Sequence, residues 1–206
     1  MRVITIASSK GGAGKSTLAA ALAVEAVRRG ETVALLDLDP QQTVVEWHGR
    51  RGAPENPAMR EVSGSLAKGL DKIEANGFTL AILDTPPAHT KTIMSAIDVA
   101  DLVVIPLRPS MLDIETAEIM VEMCQDADKP YAFAISAAPT QGSSVEQTAD
   151  ALADAGPVLR SVITARAAHV KAMSRGKSAG ELDDTAQAEI AGLWKEVATL
   201  LPKVRT

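Results

Sequence analysis

The chain has 206 residues, with 21 Lys+Arg against 26 Asp+Glu and a formal net charge of −5. That length favours one domain with a full core, and 46% hydrophobic with 23% charged residues excludes wholesale disorder. Aromatics at 2% remove the stacking platform of single-strand nucleic-acid binders, and a single cysteine, Cys124, excludes a disulfide framework or a Cys-rich zinc site.

The three histidines, His48, His89 and His169, lie far apart and outside any H-E-x-x-H pattern, so a metal held mainly by side chains is not expected. The N-terminus runs straight into charged, glycine-rich sequence, and no apolar stretch is long enough to span a bilayer. The expectation is a soluble cytoplasmic protein.

In chain order, a strand at 3–7 leads through a glycine-rich turn into a helix at 15–29. A strand at 32–36 and helices at 41–50 and 65–76 follow, then a strand at 79–83, a helix at 90–99 and a strand at 102–105. A helix at 112–126, a strand at 131–135, a helix at 145–155, a sixth strand candidate at 158–163 and a helix at 183–201 complete the chain. The strands are continuous apolar runs, the pattern of strands covered on both faces. Gly30 and Gly77 stand just past two helices, where a left-handed cap suits glycine. Alternating strands and helices predict a doubly wound α/β domain with a mostly parallel twisted sheet and helices on both faces. The loop-like stretch Gly52–Asn56, with Pro54 and the neighbouring Pro57, is too short for an interdomain linker, and one domain over 1–206 is expected.

Between the first strand and helix lies Ser8-Ser9-Lys10-Gly11-Gly12-Ala13-Gly14-Lys15-Ser16-Thr17. Glycines let successive backbone N–H groups curl around a polyphosphate, and the helix N-terminus adds partial positive charge. Lys15 suits the β/γ-phosphates, Ser16 a Mg²⁺ ion and Thr17 the α-phosphate side. An ordinary phosphate loop has glycine where this chain has Ser9, and Lys10 is an additional lysine. Two strands end in carboxylates, at Asp37-Leu38-Asp39-Pro40-Gln41 and Asp84-Thr85-Pro86-Pro87. Ligands of open α/β sheets bind beyond the carboxyl ends of strands, which brings all three motifs to one edge. Asp84 fits a metal role through water, and Asp39 the positioning of an attacking water. Asp37 reads equally well as a structural N-cap or turn residue and as a carboxylate of the nucleotide site.

With its K-G-G-x-G-K-[ST] loop and these two acidic motifs, the chain resembles the ParA/MinD family of deviant Walker A P-loop ATPases, most closely the short, ParF-like, ParA-type plasmid partition proteins. Ile105-Pro106-Leu107-Arg108-Pro109-Ser110-Met111-Leu112-Asp113 and the stretch Val162-Ile163-Thr164-Ala165-Arg166 with Val170-Lys171 extend the likeness over nearly the whole chain. The resemblance implies slow, partner-stimulated, Mg²⁺-dependent hydrolysis of ATP with Lys10, Lys15 and Asp39 as catalytic residues. It places the phosphates on Gly11, Gly12, Ala13 and Gly14 and the base near Pro109 and Asp113. It also implies an ATP-bound homodimer in which Lys10 crosses to the partner's nucleotide, a ParB- or ParG-like centromere-binding partner, and non-specific binding to nucleoid DNA.

A net charge of −5 means that a local patch must meet DNA. Arg160, Arg166, Lys171, Arg175 and Lys177 supply five positive charges with no acid between them, against the reading of a solvated face. Arg166 has a rival place near the nucleotide. A chain whose first strand begins at about residue 2 leaves no room for an N-terminal helix-turn-helix, so sequence-specific recognition would fall to a partner.

The last segment shows helical apolar spacing at Ile190, Leu193, Trp194, Val197, Leu200, Leu201 and Val204. From Glu181 onward it carries five acids against Lys195, Lys203 and Arg205. A net of −2 disfavours anionic lipid, so the helix is expected to pack on the domain, without stable membrane association. One cysteine argues against a cluster-bearing reductase, with Cys124 read as a core thiol. The alternative function is a ParA-like ATPase that positions a protein cargo, such as a chemoreceptor cluster, a carboxysome or a conjugation complex.

Overall fold

The computed structural model describes residues 1–87 and 91–203. Expectations for His89, for Thr90 at the start of the fourth predicted helix, and for Val204 and Arg205 lie outside the described residues. Among those described, the strands are β1 (Arg2–Ile6), β2 (Val33–Asp37), β3 (Ala58–Met59), β4 (Leu80–Asp84), β5 (Leu102–Leu107) and β6 (Tyr131–Ile135). The helices are α1 (Lys15–Arg28), α2 (Thr43–Arg50), α3 (Leu66–Ala75), α4 (Lys91–Asp98), α5 (Met111–Asp126), α6 (Ser144–Leu152), α7 (Ala167–Ser174) and α8 (Asp184–Leu200). The strands pair in parallel in the order β3-β2-β4-β1-β5-β6, as the alternating pattern predicts.

Successive strand residues point to opposite faces, and both faces are covered. Ile4, Ile6, Leu80 and Ile82 join a layer built by α1, α2 and α8. There α1 contributes the buried Ala19, Ala20, Ala21, Ala23 and Ala26, whose small side chains let the helix lie close to the sheet. Ile190, Leu193, Trp194 and Val197 of α8 complete the layer, so that helix buries its apolar face as predicted. No helix among the described residues is long and apolar enough to cross a membrane. Trp47 of α2 is fully buried in the same layer, and its indole N–H donates to the Lys177 carbonyl at 2.9 Å. On the opposite face, Val103, Ile105 and Phe133 pack with α4 and α5, while Val3, Ala81 and Leu83 pack with α3. Cys124 is buried there, and burial pushes its thiol up to about 12.

Four local features differ from the sequence expectation. The 158–163 segment is not a continuous strand. It touches the sheet edge through isolated pairings, Phe133 with Val158 and Ala138 with Thr164. Between these, the Arg160 and Ser161 amides donate to the Glu196 carboxylate at 2.7 and 2.8 Å, which takes the backbone off the ladder. The strand at the other edge is β3, two residues in a stretch between the predicted helices at 41–50 and 65–76 where no strand was predicted. Helix α2 starts at Thr43 rather than 41 because the Asp37 carboxylate accepts the Val44 and Val45 amides. Helix α7 lies within the basic segment, where no helix was predicted. Gly30 and Gly77 adopt φ of 91° and 86°, the left-handed conformation expected of them.

Candidate nucleotide site

The register aligns Ile6 of β1 and Asp37 of β2 with Asp84 of β4, so three carboxyl strand ends meet at one level. Beyond Ile6 the chain turns through residues 7–14 into α1. Gly12 and Gly14 have φ of 76° and 86°, which favours glycine at both. Gly14 is the N-cap of α1 and supplies no side-chain acceptor, so the helix presents first-turn amides and positive dipole end to the turn. Side chains from elsewhere fasten this loop. The Ser136 hydroxyl donates to the Ala13 carbonyl and the Ser9 hydroxyl to the Thr116 carbonyl, each at 2.8 Å, and the Arg108 guanidinium donates to the Gly12 carbonyl.

Lys15 is buried, and its ammonium donates to the Lys10 carbonyl at 3.3 Å, folded back over the loop. Burial lowers its pKa, with Asp84 and Asp39 acting in opposition. An ammonium held there and poorly hydrated is a strong electrostatic partner for a polyphosphate.

Asp84 is fully buried, and neither carboxylate oxygen has a hydrogen-bond partner of normal geometry. Burial pushes it up to about 7; the Ser16 hydroxyl and Lys15 draw it back, while Asp37 and Asp39 add to the rise. Two unsatisfied carboxylate oxygens beside a hydroxyl form a hard-oxygen donor set that suits a divalent cation. Asp37 is also raised, chiefly by burial, but its oxygens accept the amides of Asp39, Val44 and Val45, which makes it the cap of the β2–α2 turn. Asp39 is half-buried at the mouth of the site and accepts the Gln41 amide at 2.9 Å.

Lys10 forms an ion pair with Asp113 of its own chain. Burial alone would raise Asp113; the hydrogen bond from Lys10 and the Arg108 amide at 3.0 Å outweigh it and hold the carboxyl below its ordinary value.

Next to the loop opens an apolar cleft of about 420 Å³, lined among others by Gly14, Thr17, Ile163, Ala165, Val170 and Ile190. Neither Pro109 nor Asp113 lines it. Arg166 does, and is ion-paired to Glu189 at 2.9 Å. His169 lines it too, with its pKa lowered by burial and neither ring nitrogen hydrogen-bonded. No motif pointed to His169, because only the fold brings residues of α7 and α1 to the walls of one cleft.

The other basic residues separate. Arg160 lies near Glu196, and Arg160, Lys171, Arg175 and Lys177 are all exposed and, among the described residues, outside any ion pair. Arg175 and Lys177 share an open groove with Arg50 and Arg51, the latter paired to Glu181 at 2.8 Å.

Residues 4–179 match the family described as the CobQ/CobB/MinD/ParA nucleotide binding domain. The chain belongs to that family. It is accordingly a nucleotide-binding domain of the CobQ/CobB/MinD/ParA type, and its relatives bear out the resemblance to ParA. "Protein ParA" of Rhizobium radiobacter is 35% identical over 66% of this chain, which spans 63% of that protein's length. "Maintenance of carboxysome distribution protein A" of Gloeobacter kilaueensis is 30% identical over 86% of this chain and 83% of its own. The Aquifex aeolicus MinD structure in complex with MinC superposes with a TM-score of 0.79 at 19% identity, over 100% of this chain and 99% of that one, a likeness of fold.

Proposed function

We propose that this ParA/MinD-type ATPase binds Mg²⁺-ATP at the loop between β1 and α1 and hydrolyses it slowly as the timer of a DNA-tethered positioning cycle. The observation that carries the reading is the convergence of a cap-free helix start, a buried Lys15 and an unsatisfied Asp84 at one edge of the sheet. The loop amides and Lys15 bind the phosphates, Thr17 takes the α-phosphate side, and the adjoining apolar cleft takes the base. Ser16 and Asp84 hold the metal, Asp84 through a water. The bound metal neutralises phosphate charge. Asp39 orients the attacking water, a positioning role suited to phosphoryl transfer.

Lys10 is the residue through which ATP joins two copies. Leaving Asp113, it meets the nucleotide of the other protomer. The joined pair doubles the exposed Lys171, Arg175 and Lys177, and non-specific DNA affinity rises by avidity. A partner that stimulates hydrolysis then releases the DNA. The cargo is a plasmid or chromosomal centromere complex in the reading favoured by the Rhizobium relative. The Gloeobacter relative, matched over more of its length, supports a protein cargo with identical chemistry.

The test is DNA binding with ATP, ADP or no nucleotide at two salt concentrations, for the wild type and Asp39→Ala. Binding only with ATP, enhanced in the variant and weakened by salt, is expected. Binding indifferent to nucleotide, or none at all, would sink the DNA tether.

A further inference from the structure

Two arginines stand near the phosphate loop, and the fold treats them differently. Arg166 lines the cleft with its charge matched by Glu189 at 2.9 Å. Arg108 follows directly on β5, is exposed and, among the described residues, belongs to no ion pair. Asp113 is taken by Lys10 and accepts from Arg108 only the backbone amide, at 3.0 Å. The Arg108 guanidinium donates instead to the Gly12 carbonyl, a neutral acceptor. A Cβ atom at Gly12 would fall 2.8 Å from a guanidinium nitrogen, so the side chain lies directly on the loop. Its backbone is fixed, since the Arg108 carbonyl also accepts the Ser110 amide at 2.7 Å. Only the side chain is left to move.

Sheet order gives this arginine its position. β1, which feeds the loop, lies between β4 and β5. Asp84 ends β4 on one side, and Arg108 opens the turn after β5 on the other. The apolar cleft is lined by Gly14 and Thr17 but by neither Gly12 nor Arg108. A nucleotide whose base sits in that cleft therefore runs its phosphates from Gly14 towards Gly12, and its last phosphate lies beside the guanidinium. Bonds from a guanidinium to phosphate are roughly twice as strong as those between neutral groups, and the planar fork can give two N–H groups to one phosphate. Such an anion draws the side chain off the Gly12 carbonyl.

We propose that Arg108 is a further phosphate-binding residue, which meets the terminal phosphate of ATP in its own protomer and stabilises the charge on that group as it is transferred. The proposal rests on the reading of the loop as an ATP site. In the transfer, the water oxygen bonds to the γ-phosphorus as the bond to the ADP oxygen breaks, giving ADP, phosphate and a proton. Arg108 exchanges no atom in this step, because a guanidinium keeps its protons; it supplies fixed positive charge where negative charge gathers.

The test is Arg108→Ala in the full chain, with circular dichroism to confirm its fold. Phosphate release at saturating Mg²⁺-ATP, affinity for a fluorescent ADP analogue and the ATP-bound dimer in light scattering are measured on the same samples. Phosphate release is expected to fall about tenfold or more, with ADP affinity within about twofold and the dimer retained. An unchanged rate overturns the proposal. So does a loss of ADP affinity that matches the loss of rate, because Arg108 would then only brace the loop. A rate that merely follows loss of the dimer overturns it as well. Wild-type binding of Mg²⁺-ATP is measured first: its absence would end the reading of the loop and the proposal with it, a result separate from any that the variant gives.

Discussion

Asp37 and Asp84 end neighbouring strands at the same level of the sheet, and their surroundings are opposite. The chain folds back at Asp37 to bring three amides onto its carboxylate, while at Asp84 it provides a hydroxyl nearby and leaves both oxygens unsatisfied. A satisfied carboxylate builds a turn. An unsatisfied one, sealed from water, holds open a place for something that the chain does not itself supply.

That contrast breaks most visibly at Asp84. Asp84→Asn is expected to lower Mg²⁺-dependent hydrolysis by about 10²-fold or more, measured as phosphate release at saturating ATP. The same substitution carries a signature in stability. The Asp84 carboxyl is raised from 3.8 to about 7, so the folded metal-free protein binds the extra proton between those values. Its contribution is full at acid pH and lost as pH rises through 7. In EDTA, wild-type stability should therefore fall relative to Asp84→Asn over this window, by up to roughly 4 kcal/mol in denaturant titrations. At Asp37 the expected loss is of fold rather than chemistry. Asp37→Ala should cost about 1–2 kcal/mol as a lost cap, with nucleotide affinity retained once folded.

A third carboxylate sharpens the comparison. Lys10→Ala should leave nucleotide binding intact but abolish ATP-dependent dimers in light scattering; persistence of the dimer would end the crossing role of Lys10. Asp113→Asn frees Lys10 from its partly exposed ion pair, worth about 0.5–1 kcal/mol, and should lower the ATP concentration for dimer formation by about two- to fivefold.

The meeting of the glycine-rich turn with Asp37 and Asp84 at one sheet edge was legible in the sequence because each motif sits at the carboxyl end of its own strand. The five longer strands were legible because a strand covered on both faces reads as an unbroken apolar run. β3 was not, since two residues carry no period. The cleft was not either, because Thr17, Ile163 and Ile190 meet only through the packing of α1 and α8. The five basic residues looked like one stripe in sequence. In space, Arg166 turns inward to Glu189, while Arg160, near Glu196 but exposed, and the other three face solvent. The cap at Asp37 was one of two readings until the Val44 and Val45 amides decided it.

The burial of Trp47 and Trp194 in one layer makes the chain its own optical reporter. The sequence has only these two tryptophans, and both sit on the face covered by α1, α2 and α8. Tryptophan emission therefore follows the layer that also walls the cleft, through Ile163 and Ile190. The α5 side of the sheet is dark at the same wavelength. A ligand entering the cleft is thus reported by the chain's own emission, without any label on the protein.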